Sequence, residues 1–180
     1  ATFYKIPSSG YIGLTNAKLA DAQAGYEKAL SSMAGLLGGM HVLQFAGLID
    51  ALMTFDYGMA VIDNEIALML KRMARGMEFS ETDLALEEIG EVGPGGMFLK
   101  TDRTLELMRR TGFLPEVADR RDRQTWTEKG ALDASACALE KARDILAEDR
   151  ETFLSPEAEE RIRARFNGLI AGDFTLPEGW

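Results

Sequence analysis

The sequence predicts an α/β protein dominated by helices and containing one βαβ unit. Three observations carry that reading. "TFYKI" (2–6) is a short aromatic and β-branched run closed by the turn-forming "PSSG". Leu19, Ala22, Tyr26, Ala29, Leu30, Met33 and Leu37 then recur mostly three and four residues apart, the period of a helix. "MHVLQF" (40–45) follows, too short and too continuously apolar to be anything but a buried strand or a helix fragment. Strand, helix and strand joined by short loops demand a parallel pair with a right-handed crossover.

The remaining elements read as helices. In the first one, Asn16 is placed to cap the start by accepting a backbone N–H, and Gly38 to end it. "DYGMAVIDNEIALMLKRMARG" puts Met59, Ile62, Ile66, Met69 and Met73 on one face. Asp56 stands at its start and Lys71, Arg72 and Arg75 at its end, an order that complements the helix dipole, and Gly76 stops it. Asp63, Asn64 and Glu65 read as its solvated side, and the methionines as core filling. "SETDLALEEIG" opens with a capping box, Ser80 with Asp83. The flexible "GPGG" (93–96) separates it from "DRTLELMRRTG" and lacks the lysine spacing of a phosphate loop. "DASACALEKARDILAE" and "SPEAEERIRARFNGLIAG" are the last helices, with Ser155 as cap and Pro156 in the first helical position of the latter. "DFTLPEGW" reads as loop.

Composition excludes several functions. At 46% hydrophobic and 27% charged, the 180 residues suit one folded domain with a sizeable core rather than a disordered chain. A net charge of −9 argues against nucleic acid, whose binders need a basic face. No run of about 18 uncharged apolar residues spans a bilayer. The single cysteine, Cys137, forms no intrachain disulfide and suits a reducing cytoplasm; with one histidine, His41, it makes no soft-metal site. Two parallel strands do not make a stable sheet alone, so the βα part belongs to a larger sheet or is an appendage of a helical protein.

Four blocks, "D-x-QAGYE", "AGLID-x-LMTFDY", "VIDNEIALMLKR" and "VGPGG-x-FL", stand in an order and spacing that resembles the trimethylamine methyltransferase family. This is the group of corrinoid-dependent methyltransferases that includes quaternary-amine members such as those acting on glycine betaine. The likeness covers the C-terminal part of the family only. It implies the last strands of a (β/α)8 TIM barrel over residues 1–145, with capping helices, and a C-terminal helix and tail over 146–180. It also implies transfer of a methyl group from trimethylamine or a quaternary amine to cobalt(I) in a corrinoid (cobalamin) carried by a separate protein, with no cofactor bound directly. Its partners would be the methylated amine, the corrinoid protein and either the remainder of the barrel or a second copy. No pyrrolysine is written here, which favours a quaternary amine. Relatives carry histidines in and after the last block, where this chain has Met97 and Arg103, so roles tied to them do not carry over.

Barrels of this kind keep their chemistry at the C-terminal ends of strands and in the loops that follow. That points to Tyr11 and Thr15 in "PSSGYIGLTN" (7–16), to Gln44 and Phe45 at the end of the second strand, and to Asp50 beyond it. An aromatic face and a carboxylate are what a cationic amine needs. His41, near the strand's start, reads as a structural histidine, and Asp56 as a helix cap; no catalytic residue is assigned. The competing expectation is a non-catalytic helical module or remnant, since one copy cannot close a barrel. The isolated chain is then expected to be inactive and to associate through exposed strand edges.

Overall fold

The structure is a computed structural model describing residues 3–44, 46–77, 80–148, 153–166 and 168. It divides into two compact units, Ala1–Leu146 and Ala147–Trp180. Phe45, Thr2 and the tail "DFTLPEGW" lie outside the described residues.

The βαβ unit is present, with shorter strands than the sequence suggests. β1 (Ser9–Gly10) and β2 (Val42–Leu43) pair in parallel, Ser9 opposite Val42 and Gly10 opposite Leu43, on either side of helix α1 (Ala22–Leu37). β1 is not "TFYKI": Phe3–Lys5 form a turn, with Lys5 at φ +54°, and the strand starts beyond Pro7. The reason is pairing. Proline has no N–H for a ladder, whereas the carbonyl of Ser8 accepts from His41 and Val42 N–H at 3.0 and 3.1 Å.

Asn16 does not cap α1. Asp21 does, accepting from Gln23 and Ala24 N–H at 2.9 and 3.2 Å. Asn16 lies in the loop ahead of the helix, its N–H donating to Glu27 at 2.9 Å. Gly38 ends the helix as expected. The buried face of α1 is also not the apolar one: Ala24, Lys28, Ser32 and Gly35 are inside, while Leu19, Tyr26, Leu30 and Leu37 are exposed. Small residues let α1 approach closely. A Cβ on Gly35 would stand 2.6 Å from the Ile12 side chain and 3.2 Å from that of Leu43.

After β2 the chain makes an antiparallel hairpin, β3 (Leu48–Ile49) with β4 (Thr54–Phe55), then enters α2 (Tyr57–Arg75). Asp56 caps α2 by accepting Met59 N–H at 2.6 Å, and Gly76 ends it. The apolar core lies where these elements meet the loop before α1: Ala17, Ala24, Ile49 and Met59, backed by Ala20 and Ile62. Met59 fills this core as expected, but Met73 is half exposed.

The Ser80–Asp83 capping box is present, on a single 3₁₀ turn (Glu81–Leu84). Ala85, at φ +51°, breaks the chain there, so the helix predicted through "SETDLALEEIG" is shortened to α3 (Leu86–Val92). α4 (Asp102–Thr111), α5 (Arg123–Glu128) and α6 (Ala134–Ala147) follow. In the second unit, α7 (Pro156–Arg165) is capped by Ser155 with Pro156 in its first turn. Among the described residues no helix is long and apolar enough to cross a membrane.

Candidate functional site

The carboxyl ends of β1 and β2 deliver their loops to one side of the unit, and the structure ties those loops together. Gln44 follows β2, and its N–H donates to Gly10 O at 3.1 Å, beside Tyr11. Both Gln44 and Tyr11 are exposed. Farther along, Asp50 N–H donates to Ala17 O at 2.8 Å and Ala51 N–H to Thr15 O at 2.9 Å. The β3–β4 hairpin therefore lies against the loop that follows β1. Asp50 is half-buried there, and its carboxylate meets Lys18 Nζ at 3.1 Å.

Thr15 is committed to the fold. It is 4% exposed, donates its hydroxyl to Glu27 Oε2 at 2.6 Å and accepts Ala17 N–H at 2.9 Å. Glu27 also accepts Gln23 Nε2 at 3.0 Å. The hydrogen bond from Thr15, then those from Gln23 and the Asn16 N–H, hold the Glu27 carboxyl below its ordinary range. Tyr11 lines an open cleft of about 510 Å³ with Ile12, Gly13, Ser31, Gly35 and Met40; Gln44 and Asp50 do not. Four of the five sequence candidates thus fall in two pairs, Tyr11 with Gln44 and Thr15 with Asp50, and the fifth, Phe45, lies outside the described residues. His41 is exposed at the opposite end of β2, its Nδ1 accepting Ser8 N–H at 3.2 Å. Among the described residues no group of three or more His, Cys, Asp or Glu is clustered to ligate a metal ion.

Asp63 and Glu65, expected on the solvated side of α2, face inward. Lys28 and Asp63 form a buried ion pair, Nζ to Oδ2 2.8 Å, at 0% and 2% side-chain exposure. The same Oδ2 accepts Gly47 N–H at 2.7 Å. Burial pushes the Asp63 carboxyl above its ordinary range, against the pull of the Lys28 ammonium and the Gly47 N–H. Glu65 accepts three backbone N–H groups, from Glu116 and Val117 at 2.7 Å each and from Ala118 at 3.0 Å. Only Asn64 of the trio is exposed. A signal was present: Asp63 stands in helical register with Met59, Ile66 and Leu70, and Lys28 with Ala24, Ser32 and Gly35. The charged residues interrupt the buried stripes, not the polar ones.

Residues that carry the quoted sequence blocks therefore build this network: Asp21, Gln23 and Glu27 from the first, Gly47, Asp50 and Asp56 from the second, Asp63 and Glu65 from the third. Residues 1–167 match the trimethylamine methyltransferase (MTTB) family. The chain belongs to that family. As a trimethylamine methyltransferase family member it is 36% identical over 165 residues to the glycine betaine methyltransferase of Desulfitobacterium hafniense strain Y51, covering 91% of this chain and 34% of that protein. It is 32% identical over 170 residues to the trimethylamine methyltransferase MttB of D. hafniense strain DCB-2, covering 94% of this chain and 33% of the relative. With MttB of Methanosarcina thermophila the identity is 36% over 146 residues, 81% of this chain and 30% of the relative. This family member spans about a third of the length of these relatives.

Proposed function

We propose that the chain is the C-terminal portion of a (β/α)8 barrel that moves a methyl group from a methylated amine to the cobalt of a corrinoid protein. The family match over residues 1–167 carries this reading. The parallel β1–α1–β2 unit, whose carboxyl-end loops meet, supports the barrel: it is the unit such a sheet repeats, and barrel sites collect at that end.

In the transfer, the N–CH₃ bond breaks with its electron pair left on nitrogen, and a new C–Co bond takes both electrons from cobalt(I). The amine leaves one methyl poorer, and the corrinoid of the partner leaves methylated. No proton need move for a quaternary substrate. The protein's work is to hold a cation, exclude water and aim its methyl at the cobalt. Here Tyr11 offers an aromatic face, Gln44 a neutral dipole, and Asp50 a carboxylate that pairs with Lys18 at 3.1 Å and that a cationic amine would take over from it, while Thr15 and Glu27 hold the loop between them. A quaternary amine such as a betaine suits this set, since an exposed tyrosine and a carboxylate ask for charge without requiring a donated hydrogen bond.

The test is to mix the complete natural chain with candidate amines and corrinoid protein reduced to cobalt(I). Methyl-cobalt absorbance is expected with at least one methylated amine, and its absence with all of them removes the proposal.

A further inference from the structure

The β3–β4 hairpin holds a backbone its residues disfavour. Asp50, Ala51 and Leu52 take φ of +50°, +52° and +76° in succession, whereas non-glycine residues enter the left-handed region singly and at a cost. Inside the hairpin only two residue pairs and the Met53 N–H to Asp50 O bond oppose that cost. The rest comes from outside. At the tip, Ala17 O and Thr15 O accept from Asp50 and Ala51. At the base, Gly47 is fixed on both sides: its N–H donates to Asp63 and its carbonyl accepts Asp56 N–H, each at 2.7 Å. A side chain at Gly47 is disfavoured, because the residue sits at φ +64° and a Cβ there would stand 2.6 Å from the Phe55 ring and 3.0 Å from the Ala60 Cβ.

We propose that Lys28 and Asp63 are positioning residues: the buried pair clamps the base of the hairpin so that its strained tip holds Asp50 at the rim where the cationic amine binds. The last step rests on the function proposed above. One oxygen, Asp63 Oδ2, takes both the Lys28 ammonium and the Gly47 N–H. The ammonium therefore fixes where that oxygen stands, and the carboxylate makes the bond to Gly47 charge-assisted, roughly twice the strength of a neutral one. Helix α1, helix α2 and the chain leaving β2 are locked at a single point. Neither residue touches solvent, so their part is played through Gly47 and not on the substrate.

The test compares two double variants in the complete natural chain, K28M/D63A and K28M/D63N. Each removes both charges, so no lone ion is left buried. The asparagine keeps an oxygen that can accept from Gly47; the alanine does not. In K28M/D63A, amide hydrogen exchange at Gly47, Asp50 and Ala51 is expected to quicken at least about tenfold, while amides in the middle of α1 and α2 keep their protection. KM for the methylated amine is expected to rise about tenfold with kcat held within about threefold, and K28M/D63N to restore most of both effects. Equal quickening of helices and hairpin would make the pair merely structural and overturn the proposal. So would an unchanged KM beside a loosened hairpin. If the wild-type chain transfers no methyl from any amine, the functional reading fails by itself. The exchange data then decide the clamp alone, and a hairpin as protected in K28M/D63A as in wild type overturns it.

Discussion

Residues 8–76 and residues 80–112 differ in what they bury. The first segment hides charge: Lys28, Asp63 and Glu65 are inside, with Thr15 and Ser32, around a small apolar cluster. The second hides nothing. None of its described residues is buried, and Leu84, Leu86, Ile89, Met97, Leu99, Leu105 and Met108 face outward. Its polar contacts are surface ones, such as Arg103 with Asp83 at 3.2 Å, together with the bonds from Arg72 to Thr111 O at 3.0 and 2.8 Å that tie its end to α2. The lesson is that in this chain apolar character alone does not mark the inside. Position in the helical register does so for the first segment, and the second has apolar faces that this chain leaves uncovered.

If that contrast is right, the largest effect comes from splitting the buried pair. Lys28→Met or Asp63→Ala alone leaves one unpaired charge in the interior and is expected to cost about 3–5 kcal/mol. The double replacement K28M/D63A should cost much less than the sum. Urea unfolding of the single and double variants checks this, and additive losses would mean that the pair is not coupled. Next comes Glu65→Ala, which strands the N–H groups of Glu116, Val117 and Ala118. An unsatisfied buried donor costs about 1–3 kcal/mol, and solvent entering the gap should hold the total near the upper end. Glu65→Gln, which keeps acceptor oxygen, should lose roughly half as much. A loss confined to α2 in hydrogen exchange, without the 116–118 segment, would show that Glu65 does not anchor it.

The parts of the fold legible in the sequence were those set by local chemistry. Asp56, Ser80 and Ser155 cap as their residue types require, and Gly38 and Gly76 stop their helices. The parallel pair followed from the order of elements. What failed was anything set by a distant partner. "TFYKI" has the propensity of a strand, but the pairing groups of β2 reach Ser8 and Gly10 instead. Asn16 has a cap's residue type, but the loop that carries it, held by the bond from its N–H to Glu27, stays non-helical until Asp21. Asp63 and Glu65 looked solvated because their counterparts, Lys28 and the amides of 116–118, lie far away in sequence. At the candidate site, the loops that carry Tyr11 and Gln44 were legible from the strand ends, but the β3–β4 hairpin that carries Asp50 was not. The engagement of Thr15 with Glu27 was not.

Acid should separate the two segments more gently. The folded Glu27 carboxyl titrates below the ordinary value of 4.5. Its contribution is therefore fully present above pH 4.5 and is lost as pH falls through the lower, folded value. Glu27→Gln should flatten the stability–pH curve below that point, with the wild type and variant converging in acid. Chemical denaturation at a series of pH values checks this. Asp83 in the second segment is also held low, by Ser80 and then by charges including Arg103, but it anchors only one turn. Asp83→Asn should change local exchange near Ser80 and leave global unfolding in place.

The smallest effect on stability is expected where the apolar residues are most conspicuous. Leu99→Ser, Leu105→Ser and Met108→Ser sit on exposed faces of the second segment, where a substitution usually changes stability by less than about 0.5 kcal/mol. Their effect should appear in association instead. Uncovered apolar side chains seek a cover, and another copy of the chain can supply it. The triple variant should therefore unfold at the wild-type denaturant midpoint yet run as a monomer where the wild type forms larger species, measured by size-exclusion chromatography with light scattering. A monomeric wild type would leave these faces without a partner to find. A loss above about 1 kcal/mol per substitution would mean that the second segment packs as the first does, and the contrast between them would collapse.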